Sequence, residues 1–407
     1  MLLPTHATPV PEATAAPEGR QDSLPSAEAG ERRAPTGQRV PGPALAPAPA
    51  LTQAPALTPA PALTQAPGPA PVAASGPTGR DPFLDNAKYL AILLVAVGHA
   101  WEPLREGSRT ITALYTLVYA FHMPVFALIA GYLSRDFEAT PRKLAGLLKR
   151  TVLPYVVFET AYTCFTRWSS EDPDRPITLL DPLYLTWFLA ALFIWRLTSP
   201  LWRTLRHPLP LALTIAALAT LSPTDGNDLD LQRVLQFLPY FVLGLCLRRE
   251  HFRLLQRREA RLLAAPLFAC ALLLAYWAVP RMNYAWFFHN DSATALGAPA
   301  WSGPIMTLAT FGCSVLLTAA FLALVPRDRR WFTTLGSGTL YAYLLHGFIA
   351  QAAEHWGWYT SPWLHHPTGV ATVTLLAAAI MTPLCAPPVT QTLSTTLEHP
   401  TRRVARR

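Results

Sequence analysis

The strongest constraint on this chain is a series of apolar stretches, each about as long as the hydrocarbon core of a bilayer is deep. A core about 30 Å thick is crossed by about 20 mostly apolar residues of helix. Ten windows bounded by charge, Pro or Gly answer to that rule, at 84–101, 111–133, 151–168, 183–199, 208–222, 232–247, 262–279, 303–325, 338–353 and 369–386. With 51% hydrophobic and only 14% charged residues, the 407-residue chain is too apolar for a soluble protein of this size. The expected fold is therefore an all-α integral membrane protein, a bundle of about ten transmembrane helices with the lipid bilayer as its partner. The fourth, fifth and ninth windows are short and are expected to tilt or re-enter.

The basic residues alternate from loop to loop. Arg135, Arg142, Lys143, Lys149 and Arg150 lie between the second and third windows, and Arg248, Arg249, Arg253, Arg257, Arg258 and Arg261 between the sixth and seventh. Arg402, Arg403, Arg406 and Arg407 end the chain, whereas intervening loops carry acids such as Glu171, Asp172, Asp174, Asp225 and Asp228. The positive-inside rule then puts both termini in the cytoplasm of a multi-pass cell-membrane protein. This pattern accounts for the net charge of +8 without a nucleic-acid partner.

Residues 1–79 are rich in Pro and Ala and contain a near-repeat, ALTQAP-ALTPAP-ALTQAP, from Ala50 to Pro67. Such a segment buries too little apolar surface to offset its ordering entropy and is expected to be a disordered cytoplasmic tail. Residues 80–388 form the membrane domain and 389–407 a basic cytoplasmic C-terminal tail, so chemistry is expected within the bundle or at its mouths. The five cysteines fall inside apolar windows without metal or disulfide spacing, and are read as small buried hydrophobes. No metal site is expected.

Ionisable side chains inside a membrane span are costly and are functional candidates by default. In the first window Asp85, Lys88, Ile92, Val95 and His99 form one helical stripe, with Lys88 and His99 about 16 Å apart along it. A long molecule on this face touches both; in the alternative reading Lys88 snorkels to the headgroups and His99 sits in the outer interface. In the second window Pro124 removes a backbone donor and frees carbonyls one turn earlier. His122 either acts there on a ligand or only satisfies a freed carbonyl. The ninth window offers Tyr341, Tyr343 and His346, and the entrance to the fourth offers Tyr184, Thr186 and Trp187. Lys149-Arg150 runs directly into the third window, where topology alone explains its charge and phosphate binding is a further use. The loop histidines His207, His251, His289, His355, His365 and His366 read as surface residues. The chain has no nucleophile elbow, HExxH helix, Walker loop or Rossmann fingerprint.

These motifs in this order are Asp85-x2-Lys88-x10-His99, FHMP with GYL in the second window, the basic pair before LPY, WFLAALF, FLPYFVLG and LYAYLLH. Together they resemble the membrane-bound acyltransferase 3 family, closest to its fucose 4-O-acetylase-like branch. The resemblance runs from about Arg80 to Pro388. It implies transfer of an acyl group, most often acetyl, from cytoplasmic acyl-CoA to a hydroxyl of a carbohydrate or glycosylated acceptor. In those terms His99 is the general base, and His122 orients the thioester or steadies the oxyanion. Lys88, Lys149 and Arg150 hold the phosphate-bearing half of CoA, and Asp85, Glu102, Trp187, Tyr341 and His346 line the substrate pocket. Lys88 stands where many members carry Arg, which keeps the charge and loses the bidentate fork. The rival reading is a multi-helix transporter or flippase for a sugar-containing or lipid-linked substrate, disfavoured by the absence of matching halves with corresponding broken helices.

Overall fold

The structure is a computed structural model describing residues 80–169, 173–222 and 228–404; the expected N-terminal tail and acids Glu171, Asp172 and Asp225 lie outside these residues. Among the described residues every regular element is helical. The helices are α1 (Pro82–Trp101), α2 (Arg109–Tyr119), α3 (His122–Leu133), α4 (Pro141–Leu147), α5 (Leu153–Trp168), α6 (Trp187–Thr204) and α7 (Pro208–Ala219). They continue as α8 (Leu231–Cys246), α9 (Arg249–Leu255), α10 (Arg258–Ala278), α11 (Ser302–Leu324), α12 (Thr339–His355), α13 (Pro367–Leu384) and α14 (Pro387–Val404). Each apolar window coincides with one helix except the second, which holds two.

Among the described residues, five segments are long and apolar enough by themselves to cross a membrane: Pro82–Leu104, Arg109–Leu133, Arg258–Ala278, Ser302–Leu324 and Pro367–Leu384. The other expected spans are shorter or more polar. Helices α5 and α8 have 16 residues each and α12 has 17. Their windows carry Glu159, Gln232, Gln236 and His346, all buried against other helices. These helices trade apolarity for inward-facing polar groups.

Pro124 breaks the second window as its chemistry requires. The proline has no N–H for the Ala120 carbonyl, and Phe121 leaves the helical region at φ −138° and ψ −19°, so α2 ends and α3 begins. A second proline, Pro154, leaves the Arg150 carbonyl without its usual partner, and Leu148–Val152 widens into a π turn ahead of α5. Helices α3 and α8 approach closely enough that only glycine fits. A Cβ on Gly131 would collide with the Phe241 carbonyl, and one on Gly244 with that of Leu128.

The loops at the two ends of the bundle bond within their own set. At the basic end Arg203 donates to the Arg135 and Phe137 carbonyls at 2.6 and 2.7 Å, and Arg135 to that of Leu247 at 2.9 Å. Asn86 there donates to the Pro326 and Asp328 carbonyls, both at 3.0 Å. At the opposite end Arg109 donates to Tyr276 O, Ala293 N to Thr220 O and Leu229 N to Leu180 O. The alternation in charge is thus matched by an alternation in space.

One expectation needs correction, and one segment takes a form the sequence left open: part of the expected C-terminal tail is helical in α14, whose Thr390 and Ser394 wall a cavity at the basic end. Of the cysteines only Cys385 is buried; Cys164, Cys246 and Cys270 are exposed at the protein surface and Cys313 is half-buried. An apolar window fixes depth in a bilayer but not which side of the helix faces protein. The same surface carries Leu262, Leu263, Leu273 and Leu274 of α10 and Leu375 and Leu376 of α13, all more than half exposed. Outward-facing leucines of this kind are suited to lipid.

Candidate active site

The stripe on α1 faces protein. Ile92 and Val95 are 1% exposed, Asp85 is buried, and the His99 side chain is 12% exposed. The two ends of the stripe open into different cavities. His99 lies in a vestibule of about 530 Å³, which His122 of α3, Tyr115 and Tyr119 of α2, and Tyr184 and Trp187 also line. Lys88 lies in a cavity of about 470 Å³ at the basic end with Arg80, Arg150 and Arg196, next to a cleft of about 500 Å³ that adds Arg135 and Arg249.

Three carboxylate, hydroxyl and imidazole groups converge at His99. Its Nδ1 lies 3.4 Å from Glu102 Oε2 and 3.0 Å from Tyr184 Oη. Helical spacing explains the first pairing, since Glu102 follows His99 by three residues where α1 runs into a short 3-10 turn. Glu102 is held in turn by Arg105 and Tyr115, each 3.4 Å from Oε1, and Arg105 lies over the Tyr115 ring. A carboxylate only accepts, so this arrangement places the His99 proton on Nδ1 and leaves Nε2 with a free lone pair.

His122 faces the vestibule and also bonds a backbone carbonyl of the preceding turn. Its Nδ1 donates at 2.9 Å to the Val118 carbonyl, which Phe121 N also reaches at 3.2 Å, while the ring lines the vestibule 4.7 Å from the Tyr119 ring. His346 packs on the other side of His99, with ring centroids 5.5 Å apart. Its Nδ1 bonds the Ala342 carbonyl, and its buried Nε2 has no protein partner. Trp187 lines the vestibule beneath the Arg233 guanidinium, 4.8 Å away, and Arg233 pairs with Asp230 at 3.0 Å. Burial raises the Asp230 carboxyl above its ordinary value against the pull of Arg233.

The expected site residues divide between the two ends. His99, His122, Glu102 and Trp187 share the vestibule, with His346 against His99. Asp85 stands at the basic end, paired with Lys88 at 2.7 Å and Arg80 at 3.5 Å, and lines the cleft instead of the vestibule. Tyr341 also lines the basic cavity, and Tyr343, not Tyr341, reaches the vestibule. Two residues apart on a helix means about 200° of rotation, so the tyrosines face different ways, while Tyr343 and His346 share a face. Arg150, and not its neighbour Lys149, lines the basic cavity.

Sequence reading missed three features. Glu159 in α5 is 1% exposed, and its Oε2 accepts from Leu183 N at 2.9 Å and Thr186 Oγ1 at 2.5 Å, clamping the segment that carries Tyr184. A carboxylate inside an apolar window was the available signal. His289 is not a surface residue: it is buried against Phe237 and Tyr240, and burial pushes its imidazole down to about 3. The third feature is backbone strain. Among the described residues the non-glycine positions with left-handed backbone are Tyr184, Leu229, Asp230 and His289, and all four lie at or beside the vestibule wall. Such conformations cost about 1–3 kcal/mol each and cluster at functional sites.

Imidazoles beside a fixed carboxylate thus line one cavity, and Arg80, Lys88, Arg150 and Arg196 line the other. Residues 81–386 match the family described as an acyltransferase domain, Acyl_transf_3. The chain belongs to the acyltransferase 3 family. The match takes in every vestibule and basic-cavity residue named above except Arg80, Thr390 and Ser394. It is also similar to the nodulation protein NolL of Mesorhizobium japonicum, 29% identical over 133 residues, or 30% of this chain and 35% of NolL. The chain thus matches about a third of that relative's length. No solved structure matches this chain.

Proposed function

We propose that this acyltransferase moves an acyl group, acetyl in the first instance, from cytoplasmic acyl-CoA to a hydroxyl of a carbohydrate or glycosylated acceptor across the membrane. In this reading ten helices span the cell membrane, both termini are cytoplasmic, and the basic end faces the cytoplasm by the positive-inside rule. The likeness in motifs to the fucose 4-O-acetylase-like branch favours a sugar acceptor. The observation that carries the reading is the division of labour along α1: Lys88 opens on a cation-lined cavity and His99, paired with Glu102, on a polar vestibule.

Each end suits its substrate. Arg80, Lys88, Arg150 and Arg196 around one cavity, with Arg135 and Arg249 in the adjoining cleft, match the phosphates of CoA. Asp181, Asp230 and Asn290 at the mouth of the vestibule offer acceptors for sugar hydroxyls beside the Trp187 ring. His99 Nε2 takes the proton from the acceptor hydroxyl, whose oxygen attacks the thioester carbonyl. The C–S bond breaks and CoA leaves as its thiol once the proton is returned. Glu102 fixes the tautomer and steadies the imidazolium. His122, whose Nδ1–H is spent on Val118, has Nε2 left to orient the hydroxyl, and the Tyr119 and Tyr184 hydroxyls are placed as donors to the oxyanion.

Purified protein in lipid nanodiscs, given radiolabelled acetyl-CoA and a surface-glycan extract, is expected to transfer label to glycan and release stoichiometric CoA thiol. Acetyl-CoA left intact with every glycan fraction, by folded protein, overturns the reading.

A further inference from the structure

The vestibule and the basic cavity meet. Of all their lining residues, Met123 and Tyr343 alone belong to both. On α1 the boundary falls within one turn, since Ile92 lines the basic cavity and Val95 the vestibule. On α6 it falls between neighbours, with Phe188 in the basic cavity and Trp187 in the vestibule. The partition is therefore one layer of side chains thick.

The two shared residues differ in their freedom. Tyr343 is pinned: its hydroxyl donates to the Leu185 carbonyl at 2.9 Å, and its ring meets Phe188 edge-on at 5.9 Å. Swinging it aside would leave a buried carbonyl without its partner. Met123 is 92% buried, turns about three side-chain bonds, and follows the break at Phe121 by two residues. An unbranched thioether refills space at small cost in packing. It also adjoins His122, so whatever passes Met123 arrives beside the imidazoles.

We propose that Met123 is the gate through which the donor's acyl thioester enters the vestibule, and that its size against the fixed Tyr343 ring selects short acyl chains. This rests on the acyl-CoA reading above. The pantetheine arm of an acyl-CoA is a thin, uncharged chain, suited to a narrow apolar passage, while its phosphates stay among the cations behind it. The acyl carbon then lies on the His99 side of the partition when its C–S bond breaks, and the CoA thiol withdraws the way it came.

The test compares wild type, Met123→Ala and Met123→Trp as full chains in nanodiscs, each with acetyl-CoA and butyryl-CoA. Binding of radiolabelled CoA, which has no acyl group to seat at Met123, is measured alongside. Met123→Trp is expected to lose transfer by about 100-fold, the scale on which misplacing a reacting group costs rate, and to keep CoA binding. Met123→Ala is expected to raise the butyryl-to-acetyl ratio of transfer rates by roughly tenfold, as for relief of one or two methylenes in a pocket. An unchanged ratio in Met123→Ala overturns the gate, and this arm decides the matter if Met123→Trp fails to fold. Loss of CoA binding in parallel with transfer in folded Met123→Trp also overturns it, because Met123 would then be part of the donor site itself. Wild type inactive with both donors sinks the acyl-CoA reading and the gate with it, whereas active wild type with indifferent variants sinks the gate alone.

Discussion

Helices α1 and α10 have nearly the same length, 20 and 21 residues, and both are apolar enough to cross a bilayer. Twelve residues of α1 are buried in protein, against one, Ala264, in α10. The first is surrounded and the second is a wall. Their difference teaches that hydropathy finds the depth of a segment, whereas its ionisable and small residues find its position in the bundle. Helix α1 carries Asp85, Asn86, Lys88 and His99 because protein groups meet each of them: Arg80, the loop carbonyls at Pro326 and Asp328, Asp85 and Glu102. Helix α10 presents leucines outward, with Leu273 70% exposed.

That comparison can be broken at three points, in descending order of expected effect. Gly131→Leu should prevent the approach of α3 to α8, because the added Cβ meets the Phe241 carbonyl and not a yielding side chain. Little folded protein should survive detergent extraction, as read by size-exclusion profile; a normal profile would mean the inner helices pack more loosely than the geometry requires. His99→Ala should fold normally and lower acyl transfer by about 10²–10⁴-fold, the usual worth of a positioned base. Wild-type rates from that variant would take the α1 stripe out of the chemistry. Leu273→Ala on the outer face should leave activity unchanged and stability within about 0.5 kcal/mol, as at a surface site. A loss of several degrees in melting temperature would instead show a protein partner on α10.

Much of this architecture was legible in the sequence. Apolar windows gave the helices, Pro124 gave the break, and the spacing of Lys88 and His99 gave two ends of one face. The rest depended on which way a side chain turns about an axis whose neighbours were unknown. Tyr341 and Tyr343 are equally polar and two residues apart, and only packing of α12 against α1 and α5 decides which one reaches the vestibule. His289 reads as a loop residue because it lies outside any window, yet its loop folds back over α8 and buries it beside Tyr240. Glu159 was visible but unread, since a single carboxylate carries no spacing by which to guess its partners.

That carboxylate has a consequence for how such a protein can diversify. By tying Leu183 and Thr186 to the middle of α5, Glu159 makes the few residues around Tyr184 move as part of a helix even though they belong to a connection. The tyrosine at His99 is thus held from the α5 side by a carboxylate, and not only by its neighbours along the connection. A change of sequence on the outer rim therefore has one anchor fewer to disturb than a free loop would offer.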